Sequence, residues 1–145
     1  MKTILALVDF SDVSLKVLNQ VQVLAQAFKS HVTILHGIPM MPLVVDSVLG
    51  TPMIPQEQTA VEIQADLARL EMLTEPLRKC GVDVSLKQFH GLSIEQISQE
   101  ALQFGADLIV VGSHHHNSLY NLLVGSVTHN ILMGAKCPVL AVSAD

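Results

Sequence analysis

The chain has 145 residues, half of them hydrophobic and 14% charged, with a formal net charge of −5. That composition excludes an intrinsically disordered chain, and the length suits one compact unit that buries about two-thirds of its unfolded surface. Lys and Arg number 8 against 13 Asp and Glu, with no basic cluster, which argues against nucleic acid held by counterion release.

The longest apolar stretch, Ile38–Leu49, carries prolines and an aspartate, so no membrane span is expected. The N-terminal run ends at Asp9 without the length or cleavage site of a signal peptide, and the expected location is the cytoplasm. Cys80 and Cys137 lie far apart with no CxxC spacing and read as two reduced, partly buried thiols.

In chain order, Thr3–Asp9 is a short bounded apolar run, the pattern of a strand buried on both faces. Ser11 and Asp12 suit a helix N-terminus, and Asp12 in the first turn favours the helix dipole. Val17, Leu18, Val21, Leu24, Ala25 and Phe28 then recur at helical spacing. His31–Gly37 reads as a second strand. From Pro39 to Pro55 the period is lost among four prolines, Gly50 and three methionines, and the apolar segment 39–57 reads as an insertion acting as a lid or dimer contact. Its methionines read as plastic packing rather than thioether ligands.

Ile63, Leu67, Leu70, Leu73 and Leu77 mark a second helix over Gln58–Cys80, stopped at Gly81. Val82–His90 alternates apolar and polar residues, as a half-exposed strand does. Ser93 and Gln96 form a capping box opening a helix that runs to Phe104, before Gly105. Asp107–Gly112 is a further buried strand, Ser126–Met133 a short helix ended by Gly134, and Pro138–Val142 the last strand. Strand–helix alternation of this kind predicts a doubly wound parallel sheet, an α/β fold with helices on both faces.

Ligands of such sheets bind outside the carboxyl ends of strands, here Asp9, Gly37, His90 and Gly112. Gly112 opens a loop that closes at Gly125 and Ser126, where a helix start offers free N–H groups and a hydroxyl to an anion. A Gly-Ser pair at a helix start is also an ordinary cap. Neither a GxxxxGK[ST] loop nor a G-x-G-x-x-G fingerprint is present, which argues against P-loop NTPase chemistry and ordinary NAD binding.

The opening ILALVDFSD, the strand end TILHG and the segments HGLSIEQISQEALQFGADLIVVGS and GSHHHNSLYNLLVGSVTHNILMGAKCPVLAV together resemble the universal stress protein family over nearly the whole chain. Nucleotide-binding members carry Gly-x2-Gly-x9-Gly-[Ser/Thr]. Gly112, Gly125 and Ser126 match it, and His115 stands where the second glycine falls.

The resemblance implies a five-stranded parallel sheet of order 3-2-1-4-5 and one universal-stress-type domain over residues 1–145. It implies ATP or AMP as ligand, with Mg2+ as an accompanying cation. Leu7, Val8 and Asp9 fall where the family contacts adenine and ribose, and Gly37 at a second adenine-side position often held by valine. Gly112, Ser113, Gly125, Ser126 and Val127 fall on the phosphate cradle. A homodimer through the strand Val139–Val142 and an unknown protein partner complete the implied picture.

At a left-handed position His115 costs on the order of 1 kcal/mol, and its imidazole both crowds a phosphate and offers it a hydrogen bond. His114, His115, His116 and His129 have no carboxylate or cysteine beside them in sequence, so a metal centre is not expected. Between Asp107 and Ala135 there is no lysine or arginine, which leaves backbone N–H groups, a divalent cation or protonated histidine to balance phosphate charge. No G-x-S-x-G elbow surrounds Ser11 or Ser126, and no residue pair is an obvious water-activating base, so an enzyme is not expected, slow ATP hydrolysis aside. Two readings remain beside the nucleotide-binding regulator: a ligand-free regulatory dimer, and an adenylate-chemistry enzyme on a related fold, whose SGGxDS or HIGH/KMSKS signatures are missing.

Overall fold

Short apolar runs bounded by turn residues become strands, and helical-period runs between them become helices. The computed structural model describes residues 1–38, 59–91, 93–113 and 126–143. The order is β1 (Thr3–Val8), α1 (Asp12–Phe28), β2 (His31–Ile38), α2 (Ala60–Lys79), β3 (Asp83–His90), α3 (Ile94–Gln103), β4 (Leu108–Ser113), α4 (Ser126–Gly134) and β5 (Val139–Ser143). All neighbouring strands pair in parallel in the order β3-β2-β1-β4-β5. The expected fold class and strand order are therefore observed. The segment 39–57, the loop holding His114, His115 and His116, and Gly125 lie outside the described residues.

Register divides the strand residues between two faces, because side chains alternate along a strand. Ile4, Ala6, Val8, Val32, Ile34 and Val110 pack with Val13, Val17, Leu18 and Val21 of α1 and Leu70 and Leu77 of α2. Leu5, Leu35, Ile109 and Val111 pack on the opposite face with Ile97 and Ala101 of α3 and Ile131 of α4. Each such Val, Leu or Ile side chain taken fully out of water contributes about 1.5–3 kcal/mol. The central strand β1 is sealed on both sides, with Ile4, Leu5 and Ala6 at zero exposure.

Helix starts follow local chemistry. The expected capping box at Ser93 forms, with Gln96 N–H donating to Ser93 Oγ and Ser93 N–H to Gln96 Oε1. A second box, Thr59 with Glu62, was not foreseen. It sets the start of α2 two residues later than the expected Gln58.

Two expectations need correction. β3 does not turn one face to solvent, since every residue from Val84 to Phe89 is half-buried. On its polar side Lys87 Nζ meets Glu100 Oε2 of α3 at 2.8 Å and lies 4.5 Å from the centre of the Phe104 ring. Cys80 is exposed rather than partly buried, while Cys137 is half-buried. No helix among the described residues is long and apolar enough to cross a membrane.

Candidate functional site

The fold places a crevice at the carboxyl end of the sheet. β1 stays paired with β2 as far as Val8 opposite His36, yet its pairing with β4 ends at Ala6 opposite Val110. β4 meanwhile runs on beside β5 to Ser113 opposite Ser143. Strands β1 and β4 therefore separate where Leu7, Val8 and Asp9 stand on one side and Gly112 and Ser113 on the other. β1 is followed by α1 on one face and β4 by α4 on the other, so this is the point where strand order reverses and where open parallel sheets hold ligands.

Asp9 is exposed but held. Its Oδ1 accepts from the Ser11 N–H at 3.1 Å, from the Ser11 hydroxyl, and from Ser14 Oγ at 2.8 Å. Ser14 is 3% exposed, and its Oγ also accepts from the Asp9 N–H at 3.1 Å. The contact to Ser11 N–H is the turn that aspartate makes with the backbone two residues on. Ser11 occupies the N-cap of α1 but makes no side-chain cap bond. Its hydroxyl serves Asp9 instead. The carboxylate thus faces the positive end of α1. Between them Phe10 adopts φ 63°, a left-handed conformation in which a bulky residue is an outlier.

The remaining residues divide between the two faces. Leu7, Gly37 and Ser113 alternate onto the face covered by α3 and α4, together with Phe89, which pairs with Gly37. Gly37 contributes no side chain between half-buried Leu7 and Phe89, which leaves that edge suited to a flat apolar group. Val8 and Gly112 belong to the opposite face. A Cβ built on Gly112 would stand 2.7 Å from Val13 Cγ1, so the glycine is demanded by the approach of α1. α4 opens at Ser126 as expected, with Val127 in its first turn. His115 and Gly125 lie outside the described residues.

Sequence reasoning missed Ser14, Phe10 and His36. Ser14 left one signal, a hydroxyl five residues after Asp9 at the start of an otherwise apolar helix face. Among the described residues no group of three or more His, Cys, Asp or Glu stands together as a metal centre would need.

The universal stress protein family model matches residues 1–143. This chain belongs to that family. Universal stress protein YxiE of Bacillus subtilis is 30% identical over 142 residues, covering 95% of this chain and 96% of its own. Among solved structures, a universal stress protein in complex with cAMP superposes with a TM-score of 0.74 at 21% identity, covering 99% of this chain and 98% of its own. A universal stress protein from Archaeoglobus fulgidus in complex with dAMP gives 0.68 at 19% identity, covering 98% and 97%. At these identities the structural likeness speaks for the fold, and the full-length match to YxiE and the family model speak for membership.

Proposed function

We propose that this universal stress protein binds an adenine nucleotide, ATP or AMP, in the crevice between the carboxyl ends of β1 and β4. In this reading it acts as a regulator through protein contacts rather than as an enzyme. The observation that carries the reading is the parting of β1 from β4 after Ala6 and Val110, beside a carboxylate that Ser11 and Ser14 hold in place. Family membership and relatives solved with cAMP and dAMP support it.

The residues present fit such a ligand. An adenine edge lies along Leu7, Gly37 and the backbone of Val8, and Asp9 accepts from ribose hydroxyls. Gly112, Ser113, His115, Gly125, Ser126 and Val127 serve the phosphates, where the first N–H groups of α4 supply partial positive charge. With no Lys or Arg between Asp107 and Ala135, Mg2+ would assist phosphate binding by supplying the missing positive charge. Assembly as a homodimer in the cytoplasm belongs to the same reading. β5 lies at the sheet edge with Ala141 and Ser143 exposed, and a two-fold partner strand would cover it.

A ligand-free regulatory dimer is the second reading. The packing of Gly112 on Val13 favours it, because that glycine is explained without any ligand. Mass spectrometry of small molecules released from the denatured protein separates the two. Recovery of an adenine nucleotide in near-stoichiometric amount supports binding. If none is recovered and none of ATP, ADP, AMP or cAMP at millimolar concentration raises the melting temperature, the ligand-free reading replaces it.

A further inference from the structure

Val8, His36 and Gln88 are successive partners in register across β1, β2 and β3, and they lie in one row on the face that α1 and α2 cover. His36 is 3% exposed, and its Nδ1 lies 2.8 Å from the carbonyl oxygen of Val8. A carbonyl oxygen only accepts, so Nδ1 carries the proton and, in the neutral ring, Nε2 is left as an acceptor. The two ring nitrogens point in widely different directions. With Nδ1 tied to Val8 of β1, Nε2 is the ring atom left for another partner, and on β3 the residue in register with His36 is Gln88. Among the described residues, Nε2 of His36 is buried without a hydrogen-bond partner, and so is Nε2 of Gln88. The amide nitrogen donates only.

A buried donor and a buried acceptor therefore stand in adjacent strands without pairing to each other. Leaving either unsatisfied is costly, since native interiors pair nearly all such groups. The ring of Phe10 lies against His36, its centre 4.3 Å away, and Phe10 is capped by the Arg69 guanidinium at 4.3 Å.

We propose that this row is a binding site for one neutral hydroxyl group, which accepts from Gln88 Nε2 and donates to His36 Nε2. A carboxylate has no proton to give Nε2, an ammonium cannot accept from the amide, and an apolar group does neither. Two sources share the required chemistry: an internal water, and the hydroxyl of a small polyol. The site lies on the opposite face from Leu7, Gly37 and Ser113, and it does not depend on nucleotide binding.

The test is nitrogen-15 spectroscopy of the His36 ring in the full chain, assigned through bonds from its backbone, in wild type and in Gln88→Leu. Expected are a proton on Nδ1 and an Nε2 resonance moved upfield by an accepted hydrogen bond, with that displacement lost in Gln88→Leu. An Nε2 resonance unmoved by glycerol in the buffer identifies water, and a saturable shift with glycerol, absent in Gln88→Leu, identifies the polyol. Either result supports the site. A proton on Nε2, or an Nε2 resonance identical in wild type and Gln88→Leu, overturns it. Thermal denaturation of His36→Phe, Gln88→Leu and the double variant gives an independent reading. The double should lose less stability than the two singles combined, and strict additivity would count against a shared partner.

Discussion

Gly112 and Val13 are in contact so close that a methyl group on the glycine would stand 2.7 Å from Val13 Cγ1. The first glycine of the family's nucleotide motif is thus, in this chain, a packing residue of the β4–α1 interface. Its lack of a side chain lets α1 lie low over the sheet, and that position places Ser14 against Asp9.

Gly112→Ala is therefore predicted to destabilise the protein by about 1–3 kcal/mol, the usual cost of overpacking a core. Thermal or urea denaturation should show the loss, and Val13→Ala in the same chain should recover part of it. A Gly112→Ala variant as stable as wild type would show that α1 yields more easily than the contact implies.

Asp107 ties the two chain-distant ends of β1 and β4 together. Its carboxylate accepts from the backbone N–H of Lys2 and, at 3.1 Å, of Thr3, while its own N–H donates to the Thr3 carbonyl at 2.9 Å. Those backbone bonds hold its carboxyl below the usual range. A carboxylate depressed in the folded state stabilises above its unfolded pKa, near 3.9, and loses that contribution as pH falls through the folded value. Asp107→Asn should accordingly melt below wild type at neutral pH, with the gap closing in acid. A gap independent of pH would assign the effect to packing instead.

Most of the fold was legible because each buried strand is a bounded apolar run and each helix carries a three-to-four period. β3 misled because alternation ordinarily means one wet face. Here one polar position, Lys87, meets α3 through a pair with Glu100 that no local pattern reveals. The site was legible only where a residue ends a strand. Asp9, Gly37 and Gly112 announce themselves by position, whereas Ser14 looks like any serine in a first helical turn. His36 looks like a chance polar residue in an apolar strand. What distinguishes both is register with elements distant in sequence: Ser14 against the end of β1, and His36 between Val8 and Gln88.

The proposed dimer calls for a variant that spares the core. Leu140 packs against the α1-side cluster, so a lysine there would confuse folding with assembly. Ala141 is exposed on the same edge strand. Ala141→Glu should place like charges near each other across a two-fold axis. Light-scattering chromatography should show a shift from dimer to monomer with little change in melting temperature. An unchanged dimer would locate the interface elsewhere.

The most direct test of the central claim is calorimetric titration of ATP and AMP, with magnesium, into wild type, Asp9→Ala and Gly125→Val. Saturable binding to wild type is expected, with at least a tenfold loss in Asp9→Ala, since a hydrogen bond from a ligand hydroxyl to a charged group is worth about 1.5–3 kcal/mol. No binding is expected to a folded Gly125→Val, in which a β-branched side chain would fill the proposed phosphate space. Binding of equal strength in all three proteins would contradict a site between β1 and β4, and no heat from wild type would contradict nucleotide binding itself.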